Sequence, residues 1–191
     1  MDIQWLSRAI LSFVRVMRLL LMIVCIGLSS AAALAESAAG VHWTAPAGWK
    51  TDAPQPMRAA TYTVVAVSGD KANAECAVYF FGAGQGGSVE ANIQRWNGQF
   101  HGADGKPSPA KVAKRTTARG ITITTIDTSG DYSGLGGPLS SGHPVPGYRL
   151  LGAVVEAPGG NIFVKFTGPA KTIAANEAKF EQLLNSFQPD K

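Results

Sequence analysis

Residues 75–81 (ECAVYFF) constrain this chain more than any other segment. A strand sends successive side chains to opposite faces. Cys76, Val78 and Phe80 then form one face, and Ala77, Tyr79 and Phe81 the other. Both faces are apolar, so the sheet that holds this strand needs cover on both sides. Residues 59–67 (AATYTVVAV) precede it as a second β-branched, aromatic run, with Gly69-Asp70 turning the chain between them. Strands joined by short turns pair antiparallel.

The cover comes from two helical stretches. Val89, Ile93, Trp96 and Phe100 recur at helical spacing and predict a helix over 89–100. Ser88 stands where an N-cap belongs, and Glu90 sits in the first turn, where the helix dipole favours it. Ile173, Phe180, Leu184 and Phe187 form the stripe of a closing helix over 169–187, with Pro169 at its start. Between them lie strand-like runs at 111–118 and 120–128. A hairpin over 148–157 and 161–167 turns at Pro158-Gly159-Gly160. The long Gly/Pro/Ser stretch 129–147 reads as a loop. The expected fold class is α+β: one antiparallel β-sheet flanked by helices on its faces.

Residues 1–35 read as a secretory signal peptide. Arg8, Arg15 and Arg18 precede an apolar run at 19–28 (LLLMIVCIGL), and Ala33-Leu34-Ala35 supplies small residues for cleavage. The run is short against the roughly 20 residues of a membrane span, although counting from Ile10 lengthens it. The signal would engage the membrane only in transit. Cys25 lies inside the apolar run behind Met-Ile-Val, which argues against lipid attachment, and there is no twin-arginine pair. The expected location is the periplasm or the exterior. Cleavage after Ala35 leaves residues 36–191 as a single domain.

Charge then excludes one class of partner. The whole chain carries 17 Lys+Arg against 13 Asp+Glu. Loss of residues 1–35 removes three arginines and Asp2, leaving 14 basic against 12 acidic side chains. That balance does not suggest a nucleic-acid face. Cys76 becomes the only cysteine, so no internal disulfide forms, and a lone thiol of this kind usually packs as a small apolar group.

Trp43-x-x-Pro46-x-Gly48-Trp49, the strand-rich middle, the late hairpin and the ending Phe180-x-x-Leu183-Leu184-x-Ser186-Phe187 together resemble the PsbP-like superfamily, the exported relatives of a photosystem extrinsic subunit. Residues 80–96 and Pro146-Gly147-Tyr148-Arg149-Leu150-Leu151 are similar to a group of uncharacterised bacterial exported proteins. The resemblance implies an antiparallel sheet flanked by helices and a non-enzymatic accessory role. The Gly-rich segment 82–87 and the stretch 129–147 depart from the family pattern.

The candidate binding residues come from those two departures. Gly84, Gly86, Gly87 and Ser88 lie between a strand and a helix, where bare N–H groups and a helix N-terminus favour an anion. A dinucleotide fingerprint would need a parallel βαβ unit, which the antiparallel pattern denies. The plainer reading is a turn capped by Ser88. Asp131, Tyr132, His143 and Tyr148 frame the long stretch and form a second candidate surface, since loops of that length are often functional. Trp43 and Trp49 are expected in the core. Lys111, Lys114, Arg115 and Arg119 read as a solvated edge strand or a face for an acidic partner or a membrane surface. His42, His101 and His143 lack the spacing of a metal site, so no metal, cofactor or catalytic residue is expected. The expected function is a non-enzymatic exported accessory or binding protein. Its partner would be another exported or membrane-associated protein, or a small anionic ligand. An exported hydrolase-like enzyme and a small-ligand carrier are the alternatives.

Overall fold

A computed structural model describes residues 35–134 and 143–190. Chain order is β1 (Ala35–Ala38), β2 (Val41–Thr44), β3 (Lys50–Thr51), β4 (Arg58–Val64), β5 (Ala74–Tyr79), α1 (Val89–Asn97), β6 (Phe100–His101), β7 (Ala110–Thr116), β8 (Thr122–Tyr132), β9 (Val145–Ala157), β10 (Gly160–Pro169), α2 (Ala170–Ala175), α3 (Glu177–Ser186) and β11 (Gln188–Pro189). The main sheet has the order β3-β4-β5-β10-β9-β8, with β6 and β7 both pairing β8. Every pairing is antiparallel. A small sheet, β1-β2-β11, joins the two ends of the domain. The α+β fold class expected from the sequence is the one observed.

Strands β9 and β10 form the spine. Leu150, Leu151, Ala153, Val154 and Val155 are buried in succession, the pattern of a strand covered on both faces. On the first face, Ala60, Tyr62, Val64, Cys76, Val78, Leu151, Val155, Val164 and Phe166 pack against Ile173, Phe180, Leu183, Leu184 and Phe187 from the C-terminal helices. Trp43 and Trp49 lie in this core, as expected. Trp43 stacks on Phe187 with ring centroids 5.0 Å apart, and Trp49 meets Phe166 at 4.9 Å.

The closing helix is broken in two. Asn176 stands at the break, where its Nδ2 donates to Thr172 O at 2.9 Å and its Oδ1 accepts from Trp49 Nε1 at 3.2 Å. A buried amide satisfied on both sides fixes the bend. Helix α2 has no cap from its own chain segment. Asp70, a hundred residues earlier, accepts from Thr172 N at 2.9 Å and Thr172 Oγ1 at 2.6 Å instead.

On the second face, Trp96, Phe100, Ile126, Tyr148, Leu150, Val154 and Phe163 form a separate core under α1. Helix α1 ends at Asn97, so Phe100 reaches this core from β6 rather than from the helix stripe. Gly152 lets α1 come close. A Cβ there would lie 2.8 Å from both the Trp96 ring and Ile126 Cγ2.

Two expectations change. Strand β8 runs through Asp131 and Tyr132, and β9 starts at Val145, so both ends of the expected 129–147 loop are strand. The register Ser129↔Arg149, Gly130↔Tyr148 and Tyr132↔Val145 pairs them, and the ladder outweighs the local glycine and proline content. Residues 135–142 lie outside the described residues, as do residues 1–34. The basic set is split: Lys111, Lys114 and Arg115 lie on the exposed strand β7, where Lys114 meets Glu156 at 3.0 Å and Arg115 meets Glu181 at 2.7 Å. Arg119 lies in the turn that follows β7.

Gly152→Val should lower the unfolding free energy by about 1–3 kcal/mol through overpacking against Trp96. Denaturant unfolding checks this, and an unchanged midpoint would mean that the indole does not rest on Gly152.

Candidate functional site

Strand β10 carries one charge in an otherwise apolar run, Ile162-Phe163-Val164-Lys165-Phe166. Register places Lys165 opposite Ala77 on β5 and Gly152 on β9, on the second face of the sheet. Both neighbours are small, so the lysine stem rises between them. Its ammonium is half-buried and donates to Gln99 Oε1 at 2.7 Å and Tyr132 OH at 2.9 Å. It also lies 5.2 Å from the Tyr132 ring centroid. Among the described residues no carboxylate lies within ion-pair distance of it.

The two acceptors are held by the fold. Gln99 follows α1 directly, and its carbonyl accepts from Ser133 N at 2.8 Å, which ties the helix exit to the end of β8. Tyr132 stacks on Tyr148 with centroids 5.8 Å apart and planes 2° from parallel, and it packs against Phe100 at 4.9 Å. A register shift between Gly130 and Tyr132 sets the phenol beside the lysine.

Three more groups line the same side. Arg58 Nη1 bonds Glu75 at 3.0 Å, and its guanidinium sits 5.4 Å over the Tyr79 ring. Arg95 projects from α1 and donates to Asn92 Oδ1. Phe81 stacks on Tyr79 at 5.8 Å and meets Phe163 at 5.8 Å, yet remains 38% exposed. Lys165, Arg58 and Arg95 therefore stand together with one carboxylate already paired, Glu75, and a partly bare aromatic surface.

The electrostatics follow from this setting. Burial holds the Lys165 ammonium down to about 8, with Arg95 and Arg58 pushing the same way and Glu75 opposing. Burial pushes the Tyr132 phenol up to about 12. Burial also raises Tyr79, against the lowering pull of Arg58. A proton held loosely on Lys165 and tightly on Tyr132 suits a site that offers hydrogen-bond donors to an incoming negative charge.

Of the residues read from the sequence, Tyr132 and Tyr148 come together here. Tyr148 is buried beneath the stack, while the Tyr132 hydroxyl forms part of the site. Asp131 pairs with His101 on β6, and His143 is exposed beside the undescribed stretch. Gly84, Gly86, Gly87 and Ser88 lie at the start of α1. Gly86 has φ +87°, and a Cβ there would fall 2.4 Å from the Phe163 ring, so this glycine packs against the second-face core. Gly84 is exposed. Asn92 Nδ2 donates to the carbonyls of Gly86 and Ser88, both at 2.8 Å, beside Gly87. Ser88 Oγ accepts from Ala91 N at 3.1 Å and caps the helix. Lys165, Gln99, Arg58, Arg95 and Phe81 were not singled out in the sequence. The one available signal was a lysine at a buried-strand position.

A second polar group lies on the other face. Arg149 donates to both Asp127 oxygens at 2.8 Å and meets Glu177 at 3.0 Å, which ties the sheet to the first turn of α3. It lines a depression of about 320 Å³ with Lys111 and Thr128. Its charges are already matched, which marks a structural brace.

No protein-family model matches the sequence, and no curated protein matches it. Solved structures similar in chain path include the following two. The solution structure of cyanobacterial PsbP (CyanoP) from Synechocystis aligns at 13% identity and a TM-score of 0.49, covering 85% of this chain and 95% of that one. A crystal structure of a Pseudomonas aeruginosa protein of unknown function aligns at 10% identity and a TM-score of 0.46, covering 83% and 98%. Identities this low transfer no residue roles.

Replacing Lys165 by Met should stabilise the domain near neutral pH, because it removes a half-buried cation with no paired anion. The folded proton affinity, near pH 8, lies below the unfolded one at 10.5. The penalty is therefore complete below about pH 8 and fades as pH rises toward 10.5. Urea unfolding should show the variant ahead by on the order of 2 kcal/mol at pH 7, with the gap narrowing at pH 10. A gap of the opposite sign, or one independent of pH, would contradict this account of the lysine.

Proposed function

We propose that this chain is an exported, non-enzymatic binding or accessory protein that reads negative charge on its partner through the face around Lys165. One observation carries the reading. The Lys165 ammonium is held half-buried by two neutral acceptors, Gln99 and Tyr132, with Arg95 and Arg58 beside it. A cation set into an apolar surface without its own anion is costly, and an anionic ligand offsets that cost. The partner is a small anionic ligand, or an exported or membrane-associated protein that presents such a group. The location is the periplasm or the exterior. The positive, apolar and small-residue order of residues 1–35 supports export.

A hydrolase-like enzyme is the second reading, and one contact favours it. An amine that loses its proton near pH 8, beside a tyrosine hydroxyl, has the makings of a general base. Turnover of activated esters that is lost in Lys165→Met and kept in Lys111→Met would favour the enzyme.

Two measurements test the main reading. N-terminal sequencing of protein secreted by a bacterial host should begin at Glu36. Thermal unfolding should then be recorded against a panel of inorganic anions, carboxylates, amines and divalent metals. An anion at about 100 times its Kd adds about 2.7 kcal/mol, or several degrees in midpoint for a domain of this size. The rise is expected with anions in the wild type and not in Lys165→Met. A rise with metals or amines only would sink the reading.

A further inference from the structure

Building on the anion-recognising reading above, we infer that the Lys165 face binds a small monocarboxylate carried on a flat apolar body, of the arylalkanoate kind. The charge of the ligand follows from the donors. Two of the three ammonium N–H bonds of Lys165 are used, by Gln99 and Tyr132. Arg58 is committed to Glu75, and Arg95 in part to Asn92. One lysine N–H and the outer side of Arg95 remain. That set matches a single carboxylate better than a phosphate dianion, whose three oxygens call for more donors.

The body of the ligand follows from the rings. Among the described residues Phe81 is one of the few large apolar side chains left exposed, and it continues a ladder through Tyr79 and Phe163. Phe163 lies two residues from Lys165 on the same face, and Tyr79 is its cross-strand partner. Diagonal neighbours in a sheet are about 7–8 Å apart. Tyr79 is that diagonal neighbour of Lys165, and Phe81 lies two residues further on, so a carboxylate on the ammonium leaves a flat apolar body running along the Tyr79–Phe81 stack.

The test is calorimetric titration of protein purified from expression of the full 191-residue chain, with 3-phenylpropionate, propionate and phenethylamine as probes. Phenylpropionate should bind, propionate should be about tenfold weaker, and phenethylamine should give no heat. Lys165→Met and Phe81→Ala should each weaken phenylpropionate by about tenfold. Amide shifts in the wild type, followed by NMR, should concentrate at Gln99, Tyr132 and Phe81, which keeps the test valid if a variant folds poorly. Equal binding of propionate and phenylpropionate, still dependent on Lys165, would remove the aromatic body and leave the anion reading standing. Absence of binding by any carboxylate or inorganic anion would remove both. Tighter binding to a peptide ending in phenylalanine than to the free acid would replace the small molecule with a protein partner.

Discussion

One lysine in the middle of an apolar sheet face imposes an order on half of this protein. Lys165 cannot turn away, because the opposite side of β10 at Val164 and Phe166 belongs to the main core. Its ammonium must find acceptors on the α1 side, and the chain supplies them from two distant points. Gln99 comes from the end of α1, and Tyr132 from the end of β8. Ser133 binds the Gln99 backbone, so the two suppliers are also tied to each other. Tyr148 and Phe100 hold the Tyr132 ring, and Trp96 on Gly152 holds the helix. A half-buried charge thus bridges the exit of the helix and the end of β8.

The first face is built on the opposite principle. Its buried polar groups are matched within the domain: Trp49 with Asn176, Thr172 with Asp70, Arg149 with Asp127 and Glu177. Trp43 Nε1 donates to Tyr62 OH at 2.9 Å, and Tyr62 in turn donates to Glu36, which binds the first strand to the sheet. Burial drives the Cys76 thiol well above its ordinary range, so it behaves as a core residue. A rigid, satisfied scaffold on one side lets the other side hold groups in a defined but incomplete arrangement. Recognition sites need that support.

Much of this fold was legible from residue patterns, and the unread parts share a cause. Strands β4 and β5, the β9–β10 hairpin and α1 follow from apolar periodicity and turn residues. The ends of β8 and β9 do not, because Ser129-Gly130 and Pro146-Gly147 favour a loop locally, and only cross-strand pairing makes them strand. The break at Asn176 was hidden for a similar reason, since one of the two partners of its side chain, Trp49, stands 127 residues away. Site residues divide similarly. Tyr132 stood out beside an unusual segment, whereas Lys165 stood inside a strand that otherwise reads as core. Gln99, 66 residues away, gives it meaning only once the sheet is folded. The glycine turn drew attention through composition, yet Gly86 owes its identity to the Phe163 ring.

The central claim is that Lys165 is a strained cation waiting for an anion. Carbon-13 NMR of lysine labelled at the ε position reads that directly, by following each ε resonance through a pH titration and assigning Lys165 with a Lys165→Met sample. The account predicts one lysine titrating near pH 8, and an upward move of that midpoint when a carboxylate is added. A Lys165 resonance that titrates at the ordinary value near 10.4, or one that carboxylates leave in place, would contradict it.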